Sequence, residues 1–477
     1  MRIIQDLNSL VDLRKLNVLK FREDLADELF ELSKSGEISS LEEGVVHFYP
    51  DNKIGQDNFN RLKRKLRGRL INTIFSTDIN QKGYWERYFE AYKMKMVSEL
   101  LRLRGKAHSS EKLAKEVLQV AIKYDYIKLV ADVSRQLSYH YSVNAANRKE
   151  YERIIAIHQQ YAQLDRWEDL AYDRYHYLAM ELRLAKTASS TLIQKAHKYV
   201  KELDELSDQI QSVNFQHMRY NVALLLHQLE NDPNQIITTC QLAIQFFEGL
   251  PFTPPSRAIR SFYFKAIPAF LWAADYPQAQ STIQKIKPLV KAGGHNWVGI
   301  HQYETILGFH LGDPGLVRSA MGAIRRSRLH RLIKEEFTIY EAYLAFLEDQ
   351  QDYKLGKFLN QTIQFSADKK GMNINIRILQ ILIYLLRSDF DKIIDARKAL
   401  EDYAYRYLKD DMTTRRSQLF FLLLFQLVRH SFDWSATKAY TQELLAELKT
   451  TPRHLSTIDI EVVPYEMLWE KVGEVLN

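Results

Sequence analysis

The chain has 477 residues, 46% of them hydrophobic, with 66 Lys/Arg against 59 Asp/Glu and a formal net charge of +7. That length exceeds what one globular core usually holds. With only 17 Gly and 11 Pro and no Gly/Ser-rich or Pro-rich stretch, the expectation is continuous helices joined by short corners, not domains on flexible string. The single cysteine, Cys240, excludes an internal disulfide and a multi-cysteine zinc site, and it suits a reducing compartment.

The segment Met1 to Asp6 meets charged and polar residues too early for a secretory signal. The longest apolar run, Leu419–Val428, is too short to cross a bilayer and contains Gln426. A cytoplasmic protein without a membrane partner is expected. The charge is unevenly placed: residues 1–50 hold 6 Lys/Arg against 10 Asp/Glu, whereas residues 51–106 hold 14 against 6.

In chain order, Leu10 to Ser33 reads as a helix, with Leu25, Leu29 and Leu32 at helical spacing and Gly36 as its stop. Ser39 and Glu42 have capping-box spacing for a second short helix, which ends by Pro50. Residues 51–55 read as a loop, after which Asp57 or Asn58 caps a third helix over Phe59–Phe75. Phe59, Leu62, Leu66, Leu70, Ile74 and Phe75 form its apolar stripe, and Gly68 inside it marks a close packing contact or a cost of about 1 kcal/mol.

Arg61, Lys63, Arg64, Lys65, Arg67 and Arg69 occupy most of the remaining circumference of that third helix. Two readings of this basic helix stand side by side. In the functional one, the six cations neutralise the phosphates of a nucleic acid or another anion. In the bland one, they form a solvated face paired with the acidic first helix, which bears Glu23, Asp24, Asp27, Glu28 and Glu31. Three short helices ending in a basic one resemble a helix-turn-helix or winged-helix module, although the Pro50–Gln56 connection is longer than the usual tight turn and no wing is evident.

From Tyr84 onward a helical pattern continues: Tyr84–Leu103, Glu111–Lys123, Tyr126–Tyr141, Arg148–Leu164 and Leu170–Leu184. Corners without Asp fall at His108–Ser110, Asn144–Asn147 and Lys186–Ala188. Tyr139, Tyr172 and Tyr175 are aromatics suited either to lining a binding groove or to packing between helices. Further on, "apolar helix, corner with Asp, second helix" recurs at Asp232, Asp275, Asp313, Asp352, Asp389 and Asp433, in steps of 43, 38, 39, 37 and 44 residues. The clearest hairpin runs from Ala266–Ala274 to Gln278–Val290 through Asp275-Tyr276-Pro277.

These corners resemble the tetratricopeptide-like repeat family. The pattern Asp-aromatic-x-x-small with a hydrophobe four residues on stands at Asp275-Tyr276-Pro277-Gln278-Ala279 with Ile283, and in weaker form at Asp352-Tyr353 and Asp433-Trp434. The resemblance implies an all-α fold: a right-handed α-solenoid of stacked antiparallel helical hairpins, with a period of about 38–44 residues. It also implies a concave groove that holds a protein or peptide, and it carries no catalytic residues.

The expected organisation is a small helical N-terminal domain over residues 1–80, the solenoid over 81–449, and a C-terminal capping segment over 450–477. Two breaks interrupt the pattern, Gly249 to Pro255 and Gly293 to Trp297. A second basic cluster, Arg325, Arg328 and Arg331, falls on one helical face and suits either an acidic ligand or pairing with Glu335 and Glu336. Pro464 opens a final helix whose Met467, Leu468, Val472 and Val475 are expected to cover the open end of the stack.

No His-Glu-x-x-His, Cys-x-x-Cys, Gly-x-Ser-x-Gly or nucleotide-binding glycine loop occurs in the sequence. The expectation is a scaffold or adaptor that binds a protein or peptide partner, with no enzymatic activity, cofactor, metal or small-molecule substrate. The alternative is a regulator whose basic N-terminal helix binds nucleic acid while the repeats sense a partner.

Overall fold

The computed structural model describes residues 4, 24–50, 54–76, 83–184, 189–252, 256–327, 333–354, 356, 358, 372–408, 414–453 and 461–477. Every regular element among these residues is helical. The chain divides into two compact units, Met1–Tyr161 and Ala162–Asn477.

The first unit begins with three helices, α1 (Leu25–Ser35), α2 (Leu41–Phe48) and α3 (Gly55–Ser76). Both α1 and α2 pack on α3 around Ala26, Leu29, Phe30, Phe59, Leu62, Leu66 and Leu70, so the apolar stripe read from the sequence is the core of this module. Asp24 caps α1 in a capping box with Asp27, and Gly36 stops it in the left-handed region at φ 87°. The second capping box is shifted by one residue from the expected pair. Ser40 caps α2 and Glu43 answers it, while the Glu43 carboxylate also accepts from the Ser39 backbone N–H at 2.7 Å.

Helix α3 starts at Gly55, ahead of the expected Asp57 or Asn58 cap. Gly44 is required where α2 crosses α3, because a Cβ there would run into the Phe59 ring. Gly68 marks no close contact, contrary to one expectation: a Cβ on it meets nothing within 4 Å. Of the first expected helix, the part before Asp24 lies outside the described residues, as does most of the expected loop, residues 51–53.

Next come α4 (Tyr84–Leu103), α5 (Ala107–Lys123) and α6 (Ile127–Tyr139), the last prolonged by a π-turn over His140–Asn144. Consecutive helices pack on one another. The corner between α4 and α5 is at Gly105-Lys106, with His108–Ser110 inside the first turn of α5, because Gly105 adopts φ 71° at no steric cost. Helix α7 (Arg148–Leu184) is continuous where two helices were expected. It contains neither Gly nor Pro, so nothing local stops propagation once it has begun.

The second unit continues with α8 (Ser190–Leu206), α9 (Val213–Glu230), α10 (Pro233–Glu248), α11 (Ser256–Trp272), α12 (Tyr276–Ile286), α13 (His295–Leu311), α14 (Pro314–Arg326) and α15 (Lys334–Leu347). It closes with α16 (Asn373–Leu386), α17 (Phe390–Tyr407), α18 (Arg415–Arg429), α19 (Trp434–Tyr440), α20 (Gln442–Thr450) and α21 (Tyr465–Leu476). From α8 to α18 each helix packs on its neighbours in the chain. The clearest expected hairpin is α11–α12, longer at its start than read from the sequence and closing at Ile286 with a 3₁₀ turn, Lys287–Leu289. Its predicted stripe, Phe270, Leu271, Ala279, Ile283 and Ile286, is buried throughout.

The corners of this unit share one construction. Asn231, Ala274, Gly312, Asp349, Ser388 and Ser431 all adopt left-handed backbone, with φ between 55° and 63°. At each, the next residue donates its N–H to a carbonyl five residues back, as Asp275 does to Phe270 at 2.9 Å and Asp313 to Gly308 at 2.8 Å. An Asp then opens the following helix: Asp232, Asp275, Asp313 and Asp433 accept the backbone N–H three residues on, at 3.0, 3.2, 3.0 and 2.7 Å.

Two of the Asp corners depart from this pattern. Asp389 sits at its cap position but turns its carboxylate to Lys392 at 2.7 Å. The fourth turn is made at Asp349-Gln350, so Asp352 lies two residues beyond it. The break at Gly293 is present, but His295, Asn296 and Trp297 already belong to α13. Residues 186–188 and 253–255 lie outside the described residues.

The last segment does not simply cover the final hairpin. Tyr465 stacks on Phe420 at 4.7 Å, Trp469 lies 5.1 Å from Trp434, and Lys471 reaches Asp349 at 2.7 Å. His310 Nε2 donates to the Glu461 carbonyl at 3.4 Å, and Asn231 Nδ2 donates to the Arg453 carbonyl at 3.4 Å. Arg453 and residues 461–477 therefore meet corners that are up to 222 positions away in sequence. Leu468 and Val472 are buried as expected, whereas Met467 and Val475 are half-buried.

Candidate functional site

Helix α3 is held by its apolar stripe, and that fixes where its cations point. Arg69 and Lys65 turn to the start of α1. Arg69 makes a two-pronged contact with Asp24, its Nη1 and Nη2 donating at 2.8 and 2.6 Å, and reaches Asp27 at 3.1 Å. Lys65 Nζ donates to Asp24 at 2.6 Å. The hydrogen bonds from Arg69, and then that from Lys65, hold the Asp24 carboxyl well below the usual carboxylate range. For these two residues the bland sequence reading, pairing with the acidic first helix, is the one the structure shows.

The other four are placed differently. Among the described residues, no carboxylate lies within ion-pair distance of Arg61, Lys63, Arg64 or Arg67. Arg61, Arg64 and Arg67 are exposed and Lys63 is half-buried. Lys63, Arg64 and Arg67 line, with Ile4 and Asn60, a surface cavity of about 360 Å³. Arg64 Nε donates weakly to the Asn60 carbonyl at 3.4 Å, and the Lys63 ammonium lies 5.8 Å from the Phe59 ring centre, over its face. Positions 60, 63, 64 and 67 recur at i, i+3, i+4 and i+7, so this is one continuous positive strip along the helix. It can neutralise a row of phosphates or carboxylates.

Of the second basic cluster, Arg328 and Arg331 fall outside the described residues. Arg325 pairs with Glu341 at 2.7 Å and lies 5.4 Å from the Phe337 ring centre. For Arg325 the partner is thus Glu341 rather than Glu335 or Glu336. With Arg318 and its partner Glu348, Arg325 and Glu341 line a mixed-charge groove of about 510 Å³ between α14 and α15. Such a groove balances its own charges.

Tyr139 is half exposed, carries the Arg102 guanidinium 5.8 Å from its ring centre, and lines a cavity of about 290 Å³ with Lys95, Glu99 and Gln136. Tyr172 and Tyr175 belong to the other unit, where each packs 5.8 Å from the His176 ring.

Three polar clusters escaped the sequence reading. Arg416, buried in α18, donates from Nε to Glu461 at 2.8 Å, from Nη2 to Glu461 at 2.7 Å and to Glu466 at 2.8 Å, and from Nη1 to the Thr451 carbonyl at 2.9 Å. Burial alone opposes the charge on Arg416; the two carboxylates outweigh it and hold the guanidinium protonated.

The buried His301 and Glu304 contact each other at 2.8 Å, and Lys287 donates to the same carboxylate at 2.5 Å. Lys265 in α11 donates to Asn221 in α9; burial lowers the Lys265 ammonium and pushes the Cys240 thiol up to about 12. All three clusters join helices distant in sequence or residues one turn apart, with no motif spacing to announce them.

No group of three or more His, Cys, Asp or Glu is placed to hold a metal ion among the described residues, and none of their helices is long and apolar enough to cross a membrane. No protein-family model, curated protein or solved structure matches the chain.

Proposed function

We propose that this chain is a non-catalytic helical-repeat protein that holds a protein or peptide partner along successive hairpins. The observation that carries this reading is the corner repeated six times in Ala162–Asn477, a left-handed residue recurring every 37 to 43 positions. A constant corner on helices of similar length stacks hairpins in the same sense, giving a right-handed superhelix with a concave face. The buried charged clusters fit a structural use, since their hydrogen bonds are spent on neighbouring helices. The reading is tested by crosslinking the full chain to its co-purifying proteins. Crosslinks from one partner to successive hairpins of Ala162–Asn477 support it, and crosslinks confined to residues 24–76 count against it.

A specific observation favours a second activity for the N-terminal module, contact with nucleic acid through α3. Lys63, Arg64 and Arg67 form a positive strip, with Arg61 exposed beside it, on the helix whose Lys65 and Arg69 pair with the acidic helix. Four phosphate contacts give a slope of about −3.6 in log affinity against log salt on duplex DNA. Fluorescence anisotropy of the full chain measures it. Lys63→Glu/Arg64→Glu/Arg67→Glu is expected to abolish binding, whereas binding indifferent to both salt and these changes removes this activity.

A further inference from the structure

Helix α4 opens the run of packed hairpins in the first unit, and one of its faces is left bare. Trp85, Phe89, Met96, Leu100 and Leu103 are 42%, 51%, 55%, 59% and 66% exposed. Their steps of four, seven, four and three residues keep them in one line at the period of a coiled-coil seam. The side of α4 that meets its neighbours is a different one. Ala91 and Ser98 are buried there, Ser98 Oγ donates to the Ser110 carbonyl at 2.9 Å, and the Tyr126 hydroxyl donates to the Tyr84 carbonyl at 2.6 Å. The bare seam lies about a third of a turn away from that contact. End helices of stacked hairpins normally turn polar side chains outward, so five large apolar ones on a helix about 30 Å long call for a cover.

We propose that the cover is a second copy of this chain, with α4 lying antiparallel on α4 about a two-fold axis near Met94. The seam is self-complementary under that reversal. Trp85 falls opposite Leu103 of the second copy and Phe89 opposite Leu100, so the aromatic end of each helix meets the aliphatic end of the other. The flanking charges follow the same order. Glu86 near the start and Arg104 just past the end lie on the same flank, so reversal sets each Glu86 beside Arg104 of the other copy. The reversed pair is closed and uses the whole seam, which limits the assembly to two. The inference does not depend on the partner reading above.

The test is the mass of the full chain by light scattering at micromolar concentration, which is expected to be twice that of one chain. Phe89→Glu/Leu100→Glu, both on the exposed seam, should give a monomer with unchanged helical circular dichroism. Glu86→Arg and Arg104→Glu should each weaken the dimer about tenfold. Mixing those two variants should restore pairing, because reversal then sets opposite charges together at both contacts. A chain that stays monomeric, a dimer that survives Phe89→Glu/Leu100→Glu, or a mixture no tighter than either variant alone overturns the proposal.

Discussion

The N-terminal front and the C-terminal back of the chain are each fastened by the same chemistry in opposite surroundings. At the front, Arg69 and Lys65 hold Asp24 with side chains 30%, 53% and 25% exposed. At the back, Arg416 holds Glu461 and Glu466 with side chains 7%, 6% and 22% exposed. Water screens the first cluster and pays part of any loss. The second has no such substitute, because removing one partner strands a charge in a dry interior. The front contact is thus adjustable, whereas the back contact commits the terminal segment to one place.

The largest effect is expected from Arg416→Met. It takes from the buried Glu461 the nearer of its two cations, leaving Arg453 at 3.5 Å, and should cost about 3 kcal/mol in denaturant unfolding of the second unit. Arg416→Met/Glu461→Gln should recover part of that loss. A cost near that of an exposed pair would show that the terminal segment is not anchored here.

Acid should separate the two ends. Burial, aided by the charge of Arg453, keeps His310 neutral, lowering it from 6.5 to about 3. The unfolded chain therefore takes up a proton that the folded chain refuses, and stability falls as pH drops from 6.5 toward 3. The slope approaches about 1.4 kcal/mol per pH unit. Asp24 is lowered too, but in a carboxylate that favours the charged form: its contribution is present above its ordinary value of 3.8 and is lost only as pH falls below that. Hydrogen exchange, corrected for intrinsic rates, should show residues 461–476 loosening between pH 6 and 4 while residues 25–35 hold. His310→Gln should flatten that response.

Smaller changes sharpen the contrast. Gly68→Ala on the open face of α3 should stabilise the front module by about 1 kcal/mol, since no neighbour resists the Cβ. Ala274→Gly at the α11–α12 corner should gain up to about 1 kcal/mol, because Ala274 holds φ 57°. Asp24→Asn, which keeps the cap but removes the charge, should cost less than about 1 kcal/mol. It should also release Lys65 from its ion pair, while Arg69 keeps Asp27, and so raise affinity for any polyanion on α3. Thermal unfolding measures the three stability changes, and anisotropy the last.

Legibility in the sequence tracked distance along the chain. The stripe Phe59, Leu62, Leu66, Leu70 was readable because it repeats within one helix, and Asp275 with Pro277 because a cap acts on the next three residues. The left-handed residues that make the corners were not. Ala274, Ser388 and Asp349 carry no glycine signal and accept that backbone only because packed helices on both sides require the turn. The continuity of α7 was missed for the opposite reason: residues 165–169 fall between the two expected helices, yet they contain neither Gly nor Pro to stop one.

By itself, then, the sequence determined the helical class, the stripe that α3 buries and the caps at Asp232, Asp275, Asp313 and Asp433, because propensity, capping and periodicity act over a few residues. Only the tertiary structure decided which cations of α3 pair with the start of α1, which face of α4 stays bare and where residues 461–477 lie. Those outcomes rest on contacts such as Asp24–Arg69 and Arg416–Glu461, each bridging 45 positions. At such separations the pairing of charges is set by how the helices pack, and no local pattern encodes it.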